Sequence, residues 1–349
     1  MISICIIVKN DEQNLKRCLE HLTSYPYEIV VVDTGSTDQT AVVARTYTDK
    51  VHYFSWCNDF SAARNFAISK ASYPYVLMID SDEFVENVDQ SKLEELIKKF
   101  PDQVGRIHRF NVFKRNETEF TGHEYVNRLF HKEQYEYAGK IHEQIVAKSD
   151  TSYQTYLLPI DVYHNGYNGS LDQRKQKAER NIKLLMNMQE ENPEDTYILY
   201  QLGKSYYFQE DYPKAVEFFS KALEYDLDPR LEYVIDMVES YGYALINAGY
   251  KTESLGLESV YEEFASSADF VYMMGFVYME NALFDKAINE YLKATTYPDC
   301  KVEGVNSYLA FYNVGVICEC LGRRQEALSY YAKCKGYQPA IEGEKRCKK

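Results

Sequence analysis

The first half of the chain alternates short continuous apolar runs with stretches whose apolar residues recur three and four positions apart. Ile2 to Val8, Glu28 to Val32, Val51 to Phe54 and Tyr75 to Ile79 are short and apolar, so they read as buried strands. Residues 12–23 bring Leu15, Cys18, Leu19 and Leu22 onto one face, and further helices are predicted from the Asp33 turn through Ala44 and over residues 60–70. Repeated strand, loop and helix units predict a mostly parallel sheet covered by helices. Their loops then gather at the carboxyl edge of the sheet, where open α/β folds bind ligands.

From about Leu171 the strand pattern stops and helical periodicity continues alone. Leu202-Gly203, Tyr206, Ala215, Phe219 and Ala222 set offsets that return at Met274-Gly275, Tyr278, Ala287, Tyr291 and Ala294. They return again at Val314-Gly315, Cys318, Ala327, Tyr331 and Cys334, before Pro339. Gly242, Leu245, Gly249 and Ser254 make a degenerate copy, so four imperfect tetratricopeptide-type repeats are predicted, with successive glycines 39, 33 and 40 residues apart. The small residues let paired helices approach, and stacking buries faces that no repeat buries alone.

With 349 residues, 45% of them hydrophobic, the chain has the length for two domains with their own cores. A formal charge of -14 argues against a nucleic-acid partner, and no basic patch stands outside Lys345-Arg346-Cys347-Lys348-Lys349. The apolar start is too short for a signal peptide and no run approaches a membrane span, so a cytoplasmic protein is expected. On that expectation the glycosylation-type patterns Asn116-Glu117-Thr118 and Asn168-Gly169-Ser170 are chance matches. Eight cysteines without a Cys-x-x-Cys pair read as reduced packing residues, and the 33 tyrosines as edges of helical packing.

The run Tyr75 to Ile79 stops at Asp80-Ser81-Asp82-Glu83. Two aspartates one residue apart at a strand's exit either offer oxygen ligands to a hard divalent cation or form a solvated acidic turn, and taken alone they leave both open.

Four segments in order resemble the motifs of family 2 glycosyltransferases of the GT-A fold: Val8-Lys9-Asn10-Asp11-Glu12, Asp33-Thr34-Gly35-Ser36-Thr37-Asp38, Ala63-Arg64-Asn65 and Asp80-Ser81-Asp82. The resemblance covers roughly residues 1–165, and with the repeat half it is similar to a bacterial subgroup that includes peptide S-glycosyltransferases. It implies an α/β, Rossmann-like GT-A domain over residues 1–168 and an all-α tetratricopeptide-like domain over 169–349. It also implies that the Val8, Asn10 and Glu12 loop and Asp33 wrap the base of a nucleotide-diphosphate sugar, UDP first, with Arg64 near the nucleotide. Asp80 and Ser81 would face the ribose or metal, and Asp82 would bind Mn2+ or Mg2+ to stabilise the departing diphosphate. Structural roles stay open for Asp33, in its own turn, and for Asn65, holding its helix to neighbouring loops, while Asp38 and Glu83 read as helix caps.

Within the same resemblance, Gly139-Lys140-Ile141-His142-Glu143 offers Glu143 as the base that takes the acceptor's proton while the anomeric centre inverts. The segment also alternates with Ile145 like an ordinary strand, and that alternative stays open. His164, in Val162-Tyr163-His164-Asn165-Gly166-Tyr167, is the implied third metal ligand, against the alternative of a structural histidine. The expected activity is an inverting, metal-dependent transfer of a hexose or N-acetylhexosamine to a peptide or protein Cys or Ser. A glycan or cell-envelope acceptor is the runner-up, and a non-catalytic repeat scaffold the alternative of another class. A homodimer is admitted, and Trp56 stands in no Gln-x-x-Arg-Trp motif of the kind that processive polysaccharide synthases carry.

Overall fold

The computed structural model describes residues 1–115, 118–164 and 171–348 and, of these, the side chains of all but 113–115, 118–119 and 171–177. The two glycosylation-type asparagines and the Asn165-Gly166-Tyr167 end of the His164 motif lie outside the described residues. The chain divides into two compact units, Met1–Ser170 and Leu171–Lys349.

In the first unit β1 (Ile2–Val8), α1 (Glu12–Leu22), β2 (Glu28–Asp33), α2 (Thr40–Arg45), β3 (Val51–Tyr53), α3 (Phe60–Lys70) and β4 (Tyr75–Met78) follow the apolar pattern closely. Leu15, Cys18, Leu19 and Leu22 form the buried face of α1 and join Ile2, Ile4, Ile6 and Val8 in one core cluster. Asp59 starts α3 by accepting the amide of Ala62. Next come β5 (Glu83–Val88), α4 (Gln90–Lys99), β6 (Val104–Arg115), β7 (Thr118–His131), β8 (Tyr135–Ala138), β9 (Gln144–Ala147) and β10 (Thr155–His164).

Eight of these strands form one sheet in the order β3-β2-β1-β4-β7-β6-β10-β5, and β8 pairs with β9 apart from it. The strands β1 to β4 run parallel as expected, but the sheet as a whole is mixed: β7 lies antiparallel to both β4 and β6, and β5 antiparallel to β10. Consecutive strands β6 and β7 return on each other, and that pairing delivers β7 to the open edge of β4. A reading built on apolar runs misses them, because alternate positions such as Arg109 and Glu124 are ion-paired rather than apolar. Asp80, Ser81, Glu143 and the Asp33 turn all sit just beyond strand ends, and Glu83 opens β5 instead of capping a helix.

The second unit holds α5 (Leu171–Glu191), α6 (Thr196–Phe208), α7 (Tyr212–Ala222), α8 (Glu232–Asn247), α9 (Lys251–Ser254), α10 (Tyr261–Phe264), α11 (Ala268–Glu280), α12 (Phe284–Ala294), α13 (Tyr308–Cys320), α14 (Arg324–Tyr331) and α15 (Gln338–Cys347). The repeat glycines sit where helices touch: a Cβ on Gly203 would stand 2.4 Å from the Phe219 ring, and one on Gly275 would stand 2.9 Å from the Tyr291 ring. The repeat that carries Gly242 is degenerate in structure as well, since short α9, a 3-10 turn and α10 replace a single second helix. No helix among the described residues is long and apolar enough to cross a membrane.

Candidate functional site

The loops after β1 and β2 are tied to each other. Val8 is buried, and its carbonyl accepts the Thr34 amide at 2.9 Å and the Thr34 hydroxyl at 3.1 Å. Asn10, at a φ of 50°, accepts the Thr37 amide on Oδ1 at 2.7 Å, and its own amide donates to Ser36 Oγ at 2.9 Å. Glu12 accepts the Gln39 amide at 3.1 Å. Asp33 takes the amides of Gly35 and Ser36 on Oδ1 at 3.0 and 2.8 Å, so it does stabilise its own turn. Asp38 accepts both the amide and the hydroxyl of Thr40 at the start of α2, but the N-cap position is Gln39, so Asp38 stands one residue ahead of the cap expected of it. Ser81 donates to Asp11 at 2.6 Å, which brings in an aspartate that motif reading passed over. Burial, together with Asp82 and Asp38, raises the Asp11 pKa against the opposing bonds from Ser81 and Asn14.

Beyond β4 lies a continuous arc of charged side chains. Arg64 donates through Nη2 to Asp80 Oδ1 at 2.8 Å and through Nε to Glu143. Arg128 donates to Asp80 Oδ2 at 2.7 Å and to Glu83 at 2.8 Å. Arg109 joins Glu83 at 2.9 Å to Glu124 at 2.9 Å, and Glu124 accepts from the Asn111 amide. Asn111 Oδ1 lies 2.8 Å from His164 Nδ1, and His164 Nε2 lies 3.4 Å from Asp82 Oδ2. Burial resists the charge on Asp80, but Arg128 and Arg64 outweigh it and hold its pKa well below the usual aspartate range.

Of the three residues expected to share a cation, Asp82 and His164 meet, whereas Asp80 turns both oxygens to arginines. Among the described residues no three His, Cys, Asp or Glu side chains converge on a cation position. The Asp82 and His164 pair nonetheless fits one side of an octahedral site. Adjacent ligands at the short oxygen distances of Mg2+ or Mn2+ stand about 3 Å apart, close to the 3.4 Å seen here. The arc contains five carboxylates (Glu143, Asp80, Glu83, Glu124, Asp82) and three guanidiniums (Arg64, Arg128, Arg109), an excess of two negative groups that favours a divalent cation.

Glu143 stands in the irregular segment between β8 and β9, where Gly139 and His142 have φ of 98° and 51°, so the strand alternative for this stretch does not hold. The segment is fastened to α3 by the Phe60 amide on the Lys140 carbonyl at 2.8 Å. Asn65 grips Tyr137 through both its amide atoms, at 2.8 and 2.9 Å, and so holds its helix to β8. Sequence reading missed Arg109, Asn111, Glu124 and Arg128. The available signal was an arginine inside the otherwise strand-like Val126-Asn127-Arg128-Leu129-Phe130 run, a residue that is buried only when paired.

Residues 3–148, which contain all of this arc except His164, match the family described as Glycosyl transferase family 2. The first unit is a family 2 glycosyltransferase domain. Residues 196–229 and 308–341 match tetratricopeptide repeats. The chain is 29% identical over 231 residues to the SPbeta prophage-derived glycosyltransferase SunS of Bacillus subtilis strain 168, covering 64% of this chain and 53% of that protein. It is 30% identical over 212 residues to a TPR repeat-containing protein of Synechococcus elongatus, covering 58% and 51%. It is 30% identical over 161 residues to the lipopolysaccharide core biosynthesis glycosyltransferase LpsC of Rhizobium meliloti, covering 43% and 58%. The chain thus spans about half the length of these relatives. The family 2 match falls within the first compact unit, and the two repeat matches fall within the second.

Proposed function

We propose that the chain is an inverting glycosyltransferase that moves a hexose or N-acetylhexosamine from a UDP-sugar to a Cys or Ser side chain of a peptide or protein, with Mn2+ or Mg2+. Support comes above all from the approach of His164 Nε2 to Asp82 Oδ2, 3.4 Å apart at one end of an arc that reaches Glu143 at the other. A cation held by Asp82 and His164 would offset the negative charge that develops on the departing diphosphate. Asp33 receives a base N–H on Oδ2, beside the Val8, Asn10 and Glu12 loop that its own turn braces. Arg64 fixes Asp80 and Glu143 relative to each other, so the donor end and the acceptor end of the reaction share one rigid cation. Glu143 takes the proton of the attacking thiol or hydroxyl as the sugar carbon inverts.

A peptide acceptor accords with the tetratricopeptide unit, since concave repeat surfaces serve as extended binding faces. A glycan acceptor is the second reading, favoured by the likeness to LpsC, a lipopolysaccharide core glycosyltransferase by name.

The deciding experiment incubates the full chain with a panel of UDP-sugars and Mn2+, with and without peptide and glycan acceptors, and follows UDP release and product mass. Metal-dependent UDP release with sugar added to a peptide is expected. Release with sugar added only to glycans selects the second reading, and no release from any donor together with no metal-dependent UDP binding overturns the enzyme assignment in favour of a repeat scaffold.

A further inference from the structure

His164 reaches Asp82 because of strand pairing. It stands opposite Glu83 in the antiparallel β10/β5 ladder, one residue from Asp82, and opposite Asn111 in the parallel β10/β6 ladder. Pairing alone does not select which imidazole nitrogen carries the proton, and only an unprotonated nitrogen can bind a cation.

The neighbours on β6 and β7 select it. Burial works against ionising Glu124, but Arg109 and the Asn111 amide hold its pKa below the usual glutamate value. An ionised carboxylate only accepts, so the Asn111 NH2 must face Glu124 and its Oδ1 must face His164. An amide oxygen also only accepts. Nδ1 of His164, 2.8 Å away, is therefore the donor, and in the neutral ring the lone pair lies on Nε2, which points at Asp82. Arg109 anchors the far end, donating to Glu124 through Nε and Nη2 at 3.1 and 2.9 Å and to the buried Glu83 through Nη1 at 2.9 Å. Each link in this chain has a donor and an acceptor that cannot exchange roles without breaking the next.

We propose that Asn111 and Glu124 are positioning residues that lock His164 as its Nδ1–H tautomer and aim Nε2 at the cation side of Asp82, with Arg109 holding Glu124 in place. This rests on the metal-dependent reading above, in which Asp82 and His164 form the protein's share of the site. Hydrogen-bond partners behind a ligating imidazole fix its orientation and raise its basicity, and their loss typically weakens metal affinity by about 10–100-fold.

Two measurements on the full chain test it. Imidazole nitrogen shifts of 15N-histidine-labelled protein without metal, recorded at a pH high enough for the ring to be neutral, report the tautomer of His164 directly. Titration of Mn2+ into protein saturated with UDP then compares wild type, Asn111→Leu, His164→Ala and the double variant Asn111→Asp/Glu124→Gln. In the double variant the new amide on β7 donates to the new carboxylate on β6, and that carboxylate accepts from Nδ1–H. The order of donors and acceptors toward His164 is thereby kept while the charge moves by one side chain. The expected result is an Nδ1–H tautomer, an Mn2+ affinity about 10–100-fold weaker in Asn111→Leu, UDP affinity in EDTA unchanged, and recovery of most of the lost affinity in the double variant. An Nε2–H tautomer in the wild-type chain overturns the proposal even if the variants fail to fold. So does wild-type Mn2+ affinity in Asn111→Leu when His164→Ala is weakened, an outcome that leaves the metal-dependent reading standing. Unchanged affinity in His164→Ala overturns that reading and this proposal together.

Discussion

Arg64 and Asp80 form a 2.8 Å ion pair whose guanidinium also holds Glu143, so the acidic motif after β4 and the candidate base 63 residues later are joined by one buried side chain. Arg64 is 7% exposed, and removing it takes the guanidinium away from Glu143 and leaves Asp80 with Arg128 in place of two arginines.

Substituting Arg64 by Met is therefore expected to cost about 3–5 kcal/mol of stability, the range for breaking a buried pair by deleting one partner. Thermal and urea unfolding of the full chain check this, and a melting temperature within a degree of wild type would refute it. Arg64→Lys keeps a charge but cannot bridge both carboxylates, so it should recover only part of the loss.

Glu143→Gln preserves an oxygen for the Arg64 Nε–H and so should leave donor binding intact. Transfer to the acceptor is expected to slow by at least about a hundredfold, the scale of a lost general base. Single-turnover transfer rates at saturating donor separate this from a binding defect, and a near-normal rate would assign the base to another carboxylate.

Asp82→Ala deletes one member of the Asp82 and His164 pair. Mn2+ should then no longer strengthen UDP-sugar binding, measured by calorimetry with and without EDTA. Retained manganese dependence would remove Asp82 from the ligand set.

In the helical unit Glu239 lies buried on α8, bonded to Ser267 and Lys301. Burial, reinforced by Asp269 and Asp236, pushes its pKa up to about 7 against the opposing effects of Lys301 and Ser267. A carboxyl whose folded pKa exceeds its unfolded value near 4.3 binds more protons when folded, so its contribution favours the folded state at low pH and is lost as pH rises through about 7. Glu239→Gln should remove this slope. Relative to wild type, the variant should gain on the order of 3 kcal/mol at most between pH 5 and 8, read as the difference in unfolding free energy at each pH. Parallel curves for the two proteins would contradict it.

Gly203→Ala drives a methyl toward the Phe219 ring at 2.4 Å. Overpacking of this kind costs about 1–3 kcal/mol, and the unfolding of the helical unit should shift down accordingly. The same substitution at Gly256, where a Cβ would meet nothing within 4 Å, serves as the control.

Much of the fold is legible in the sequence. Apolar runs set β1 to β4, the three-and-four spacing set α1, and glycine-aromatic offsets set the repeats, because each is a local consequence of which side chains must be buried. The resemblance picked out Asp80, Asp82, Glu143 and His164, but it could not say that Asp80 gives both oxygens to Arg64 and Arg128 while Asp82 meets His164. That division depends on the pairing of β5 with β10 and of β7 with β4, contacts between residues far apart in the chain. Glu83 shows the limit most clearly: as a residue beside an acidic turn it resembles a cap, yet it is wholly buried between two arginines. Local patterning determines elements because burial periodicity is written into neighbouring residues. Which charges neutralise one another, and which are left to face a cation, is decided only when the register of the sheet brings distant side chains within hydrogen-bond reach.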